Sequence, residues 1–169
     1  MHTRKLRLYQ DEIRPEMLDY NGHVTEGWYV LLFGHASDAL YEKLGMDARW
    51  RPSNGRSHYT VQSHLRYPRE LALGDRIEII SRIIACDSKR LHFAHEMERD
   101  GELVATEELL ALCVDTRLGR SVPFEAGLLA AFKAHRSEER RVGEECRSRW
   151  SLDDALPCPD SSPLIRGRQ

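Results

Sequence analysis

Apolar and polar positions change period several times along the chain. Over residues 5–14, Leu6, Leu8 and Ile13 stand among charged residues in an extended pattern that Pro15 ends. Over residues 25–44 the pattern is helical. Its first half, Trp28-Tyr29-Val30-Leu31-Leu32-Phe33, is apolar on every side, which predicts a helix surrounded by protein. Asp38, Glu42 and Lys43 return the second half to solvent, and Gly45 suits the residue that follows a helix end. Gly34, inside the helix, costs roughly 1 kcal/mol against Ala, and close packing against a strand is the expected reason. Residues 47–57, with Pro52, Asn54 and Gly55, read as a loop.

Strand patterns follow. Residues 58–67 alternate and would set Tyr59, Val61, Leu65 and Tyr67 on one face. Gly74-Asp75 turns the chain into a strand over 76–84, and Asp87-Ser88-Lys89 turns it again into 90–98. Asp100-Gly101 is a hairpin signal before a long strand over 102–115. An amphipathic helix over 124–135 carries Leu128, Leu129 and Phe132. One buried helix and five antiparallel strands make an α+β domain. One helix cannot cover both faces of that sheet, and its edges remain unpaired. A homodimer joined edge to edge, or a dimer of such dimers, relieves both problems.

Bulk properties narrow the function. A chain of 169 residues that is 41% hydrophobic supports one core. A net charge of −2 gives no global electrostatic case for nucleic acid or an anionic membrane. The amino-terminal residues lack the apolar core of a signal peptide, and no apolar run approaches a membrane span. Cys86, Cys113, Cys146 and Cys158 form no Cys-x-x-Cys pair and no zinc spacing, so no metal site is expected and a reducing cytoplasm fits.

The candidate chemistry lies in Asp19-Tyr20-Asn21-Gly22-His23-Val24-Thr25-Glu26-Gly27-Trp28-Tyr29. Asp19 and Asn21 form turns, Gly22 permits backbone angles other residues avoid, and Thr25 can cap the helix that follows. The first amides of that helix lack intrahelical partners and sit at the positive end of its dipole. A carboxylate beside them suits acyl transfer: the charge meets the substrate and the amides hold the oxyanion. A plain loop before a core helix has the same composition.

Residues 136–169 are different material. The run Arg136-Ser137-Glu138-Glu139-Arg140-Arg141-Val142-Gly143-Glu144-Glu145-Cys146-Arg147-Ser148-Arg149-Trp150-Ser151 resembles the translation of a sequencing-library adapter, with Glu144 where the adapter gives Lys. Pro157, Pro159 and Pro163 mark the remainder as disordered. The expectation is a domain over 1–135 and a tail that is an assembly artefact.

The order of elements resembles the hotdog fold, a five-stranded antiparallel sheet wrapped around a central helix. Asp19, Gly22, Val24 and Tyr29, with the second block Val61, Tyr67-Pro68 and Gly74-Asp75, are similar to the motif of the 4-hydroxybenzoyl-CoA thioesterase family. The resemblance covers most of residues 4–123. In detail, residues 19–26 and His58-Tyr59-Thr60-Val61 look like the thioesterases of carnitine catabolism, which act on betainyl-CoA. The resemblance implies an acyl-CoA thioesterase that needs no cofactor, coenzyme A being part of the substrate. It implies Asp19 as the catalytic carboxylate, nucleophile or activator of water, and the Glu26 amide as the group that polarises the thioester. Gly22 would let the loop approach the substrate, and His23 is either a turn residue or a catalytic one. Trp28, Tyr29, Tyr59 and Thr60 would line the acyl pocket, Glu26 or Glu70 would add counter-charge, and Arg66, Lys89 and Arg90 would meet the coenzyme A phosphates. A non-catalytic acyl-CoA or acyl-carrier binder of the same fold is the second reading, because fold does not fix function. A dehydratase using His23 is the third.

Overall fold

The fold is seen in a computed structural model that describes residues 5–136. Strand β1 (Leu6–Glu12) leads through a 3-10 turn, Pro15–Met17, into helix α1 (Glu26–Lys43). A short helix α2 (Trp50–Asn54) precedes the strands β2 (Arg56–Arg66), β3 (Arg76–Cys86), β4 (Arg90–Arg99) and β5 (Glu102–Asp115). The two-residue β6 (Arg120–Ser121) and helix α3 (Ala126–His135) follow. The sheet runs β1-β3-β4-β5-β2 with every pairing antiparallel, and β6 extends it beside the end of β5. Helix α1 lies on one face. Leu32, Phe33 and Ala36 cluster with Ile77, Ile79, Met97 and Ala105, one turn or two before Leu40, Tyr41 and Leu44 join Ile83, Leu91, Phe93 and Leu109. Each such large side chain contributes about 1.5–3 kcal/mol by leaving water. This is a hotdog fold.

Two turns follow directly from composition. Asp100 and Gly101 both take positive φ, 53° and 80°, so the β4–β5 hairpin closes in two residues. Gly45 at φ 94° ends α1, where its amide donates to Glu42.

The structure corrects the sequence pattern in four places. Residues 47–57 contain α2, which Asp47 caps by accepting from the Arg49 and Trp50 amides at 2.9 and 3.0 Å. The alternation expected in β2 breaks at Val61, where the pairing with β5 shifts register. The bulge leaves Val61 unpaired and changes parity, so Leu65 joins the core whereas Tyr59 is exposed. The apolar first half of α1 is not enclosed in a single chain: Val30 and Leu31 remain exposed. Gly34 is exposed too, and a Cβ built there meets nothing within 4 Å, so close packing does not account for it.

Several polar groups in the sheet are paired. His95, fully buried, lies 2.9 Å from Ser37 through Nε2 and 2.9 Å from Ser81 through Nδ1. Burial pushes its imidazole down to about 3, so it is neutral. Cross-strand ion pairs join Arg7 to Glu78 and Arg82 to Glu96, and His92 Nε2 lies 2.5 Å from Glu108.

Candidate active site

The Asp19 loop is tied down at both ends. The Val24 amide donates to the Leu71 carbonyl at 3.1 Å, and the Thr25 amide to Met17 at 3.0 Å. Between them the chain folds back on Asp19. The Asp19 amide donates to the His23 carbonyl at 2.9 Å, and the Gly22 amide to the Asp19 carbonyl at 3.1 Å. Gly22 takes φ 79°, which supplies the reversal. Oδ1 of Asp19 accepts from the amides of Asn21 at 2.8 Å and His23 at 3.2 Å, while Oδ2 is 3.4 Å from the Asn21 carboxamide. Partial desolvation pulls the carboxyl upward. The His23 and Asn21 hydrogen bonds and the nearby His23 ring outweigh it, leaving Asp19 below the ordinary carboxylate range. Asp19 is anionic at neutral pH, and Oδ2 is its less engaged oxygen.

Helix α1 begins three residues after His23, where this loop closes. Thr25 occupies the cap position with extended backbone, φ −68° and ψ 151°, but its side chain makes no capping bond. The Trp28 amide donates to the Thr25 carbonyl at 3.0 Å. The amides of Glu26 and Gly27 have no acceptor among the described residues, so the helix start keeps open donors at its positive end. Glu26 itself is exposed.

The aromatic residues divide into two roles. The Trp28 indole donates to the Glu16 carbonyl at 3.0 Å, holding the turn before the loop. Tyr29 is buried and meets Tyr67 edge-on, ring centroids 5.1 Å apart. Tyr67 thus joins the loop end of α1 to the edge strand β2. Tyr59 and Thr60 are exposed nearer the other end of β2. His23 points away: its Nε2 is 3.2 Å from Glu70, on a surface where both are exposed.

The basic candidates are dispersed. Arg66 ends β2 at the same end of the sheet as the loop, opposite Thr106. Lys89 and Arg90 lie at the β3–β4 turn, separated from the loop by the eleven residues of β3, roughly 30 Å of strand. The Arg90 Nε donates to Asp87 at 2.5 Å, pinning that turn. The structure therefore brings together Asp19, Gly22, the Glu26 amide, Trp28 and Tyr29, and leaves Tyr59, Thr60, Lys89 and Arg90 apart from them within one chain. An open hollow of about 590 Å³ lies along β1, β3 and the β4–β5 turn, lined by Arg7, Asp11, Glu78 and Glu98. Within it Arg7 pairs with Glu78 and Glu98, and Asp19 is not among its lining residues.

Sequence reasoning passed over Glu107. It lies in β5 opposite Leu65 and His95, with only 4% of its surface exposed. A visible signal existed: two consecutive carboxylates, Glu107-Glu108, inside the otherwise apolar run from Val104 to Val114. Among the described residues no three His, Cys, Asp or Glu side chains are grouped to hold a metal, and no helix is long and apolar enough to cross a membrane.

A curled antiparallel sheet around α1, with a carboxylate loop at the helix start, defines the class as a hotdog protein with a site for acyl chemistry. The model of the thioesterase-like superfamily matches residues 13–132. A betainyl-CoA thioesterase from Pseudomonas aeruginosa is 36% identical over 134 residues, 78% of this chain and 84% of that one. An L-carnitine dehydrogenase/betainyl-CoA thioesterase from Agrobacterium fabrum is 38% identical over 135 residues, where the match takes in 79% of this chain but only 28% of the longer protein. Among solved structures, a protein from Staphylococcus aureus in complex with CoA superposes with a TM-score of 0.78, 20% identity and coverage of 89% and 98% of the two chains; at that identity the likeness is one of fold. The chain belongs to the thioesterase-like superfamily, and it is a thioesterase.

Proposed function

We propose that the chain hydrolyses a small acyl-CoA thioester to the free acid and coenzyme A, with betainyl-CoA as the substrate its relatives point to. The observation that carries this is the pairing of an anionic Asp19 with the open amides of Glu26 and Gly27 at the start of α1. The thioester carbonyl would lie over the helix start, where the Glu26 amide stabilises the oxyanion as it forms. Asp19 then acts in one of two ways. As nucleophile, its oxygen bonds to the acyl carbon, the C–S bond breaks, and water cleaves the resulting anhydride. As base, it takes a proton from the water that attacks. Its low basicity weighs toward direct attack. Gly22 and the His23 amide shape the carboxylate's loop, and the exposed His23 ring is assigned a positioning role.

The acyl pocket is assigned to Trp28, Tyr29 and Tyr67, completed by Tyr59 and Thr60 of a second subunit. Arg66 is placed toward the coenzyme A phosphates, with Lys89 and Arg90 arriving from the partner. The homodimer rests on the β2 edge, where Val61 is 48% exposed and Tyr67, just beyond the strand, 41%; two such dimers could associate further. Coenzyme A as substrate places the enzyme in the cytoplasm and leaves it without a separate cofactor. The thioesterase domain is assigned to residues 1–135; the remaining tail lies, beyond Arg136, outside the described residues.

The test is a panel of acyl-CoA esters, betainyl-CoA included, with release of free thiol followed by a trapping dye. Turnover of small acyl esters supports the assignment. Tight binding without thiol release would make the protein a binder, and water release from a hydroxyacyl-CoA would make it a dehydratase.

A further inference from the structure

Several acids of the central strands have basic partners. Glu78 and Glu98 meet Arg7, Glu96 meets Arg82, and Glu108 meets His92. Glu107 is as buried as Glu108, yet among the described residues no Lys, Arg or His stands within ion-pair distance of it. Its single hydrogen bond there comes from the Ser63 hydroxyl to Oε1 at 2.6 Å. A buried carboxylate is ordinarily paired, because burial of an uncompensated charge is costly. Desolvation pushes this one upward and the Ser63 bond only partly opposes it.

The surroundings of Glu107 say what would complete it. The Tyr67 hydroxyl lies in the fields of both Glu26 and Glu107, and Tyr67 packs on Tyr29. Tyr67 follows Leu65, the residue opposite Glu107, by two positions, so the Tyr29–Tyr67 pair lies between the start of α1 and the strand that carries the carboxylate. Tyr41, also in the field of Glu107, is buried with Thr60 at its hydroxyl. Ring faces beside a carboxylate, with few donors or acceptors to satisfy, fit a cation that makes no hydrogen bonds.

We propose that Glu107 is the counter-charge for a quaternary ammonium on the acyl group and so determines specificity for cationic acyl-CoA esters. This rests on the thioesterase assignment of the Asp19 loop. Tyr67 and Tyr29 supply the π-faces, and Ser63 orients the carboxylate.

The experiment compares betainyl-CoA with tert-butylacetyl-CoA, in which carbon replaces the charged nitrogen and the shape is kept. Steady-state kinetics are measured on the full chain, its Glu107→Gln variant and, as a second replacement, Glu107→Met, with thermal melts to verify folding. The parent should cleave both esters and favour the cationic one. Either variant should lose about 10–100-fold in kcat/KM on betainyl-CoA, chiefly through KM, the scale of a buried charge pair losing one member, and change less than about 3-fold on the neutral ester. Equal losses on both esters, or none on betainyl-CoA, would overturn the proposal. So would conversion of the variants to monomers, since Glu107 would then be answering a cation of the partner subunit. A parent that cleaves the neutral ester and ignores betainyl-CoA refutes this inference and the betainyl-CoA substrate but leaves the thioesterase assignment standing, whereas a parent that cleaves neither refutes the thioesterase assignment beneath it.

Discussion

The backbone amide of His23 donates to Oδ1 of Asp19 at 3.2 Å, four residues back across the turn. The loop is thus closed on its own carboxylate, and whatever alters the turn alters the charge. Gly22, at φ 79°, is the residue that makes the reversal. A Cβ there meets nothing within 4 Å, so Gly22→Ala introduces backbone strain and no clash, about 1–2 kcal/mol. The expected result is a melting temperature lower by a few degrees, with kcat reduced at least about 10-fold as the Asp19 hydrogen bonds loosen. The acid limb of the pH–rate profile should also move upward as Asp19 returns toward the ordinary carboxylate range. Unchanged kcat and pH profile would detach the turn from the chemistry.

The β2 edge gives a second prediction. Val61 stands at a bulge with nearly half its surface exposed, two residues from the exposed Tyr59 of the same strand. Val61→Lys places a charge where the partner strand would pair. Sedimentation should show the parent as a dimer or larger and the variant shifted to monomer. Because Tyr59 and Thr60 are assigned to the partner's pocket, activity should fall with the dimer. A parent that sediments as a monomer and is fully active would refute the shared pocket.

His95 predicts a pH dependence of stability. Its folded value of about 3 lies below the ordinary 6.5. Above about pH 6.5 the imidazole is neutral in both states and its contribution does not vary. As pH falls from there toward 3, the unfolded chain takes up a proton that the folded chain refuses, so stability is lost. The slope approaches roughly 1.4 kcal/mol per pH unit. Urea unfolding at several pH values between 5 and 7 should show that slope in the parent, and His95→Gln should flatten it. Equal slopes in the two proteins would mean that His95 is protonated in the fold.

The fold and the core of the site were legible because they follow from local signals. Asp100-Gly101 announced its hairpin, the apolar run from Trp28 announced α1, and Asp19 with Gly22 announced a turn before a helix. What the sequence hid depends on pairing and burial. The bulge at Val61 leaves no mark in an alternating strand, yet it moves Tyr59 off the face expected of it. The exposure of Val30 and Leu31 looks identical, in sequence, to enclosure by the same chain. Lys89 and Arg90 read as phosphate ligands by charge, but their distance from Asp19 is set by the length and direction of β3. Glu107 was visible only as an acid in an apolar strand; that no basic side chain stands beside it among the described residues, while His92 stands beside Glu108, is a property of strand register.

The most direct test of the account is the rate of thiol release from an acyl-CoA ester by Asp19→Asn. The amide keeps the size of the side chain and an oxygen able to accept from the Asn21 and His23 amides, so the fold and the loop should persist, checked by melting temperature. It is neither a nucleophile nor a base, and kcat should fall on the order of 10²–10⁴-fold with substrate binding retained. A correctly folded Asp19→Asn protein that turns over at close to the parental rate would contradict the central claim that this carboxylate carries the reaction.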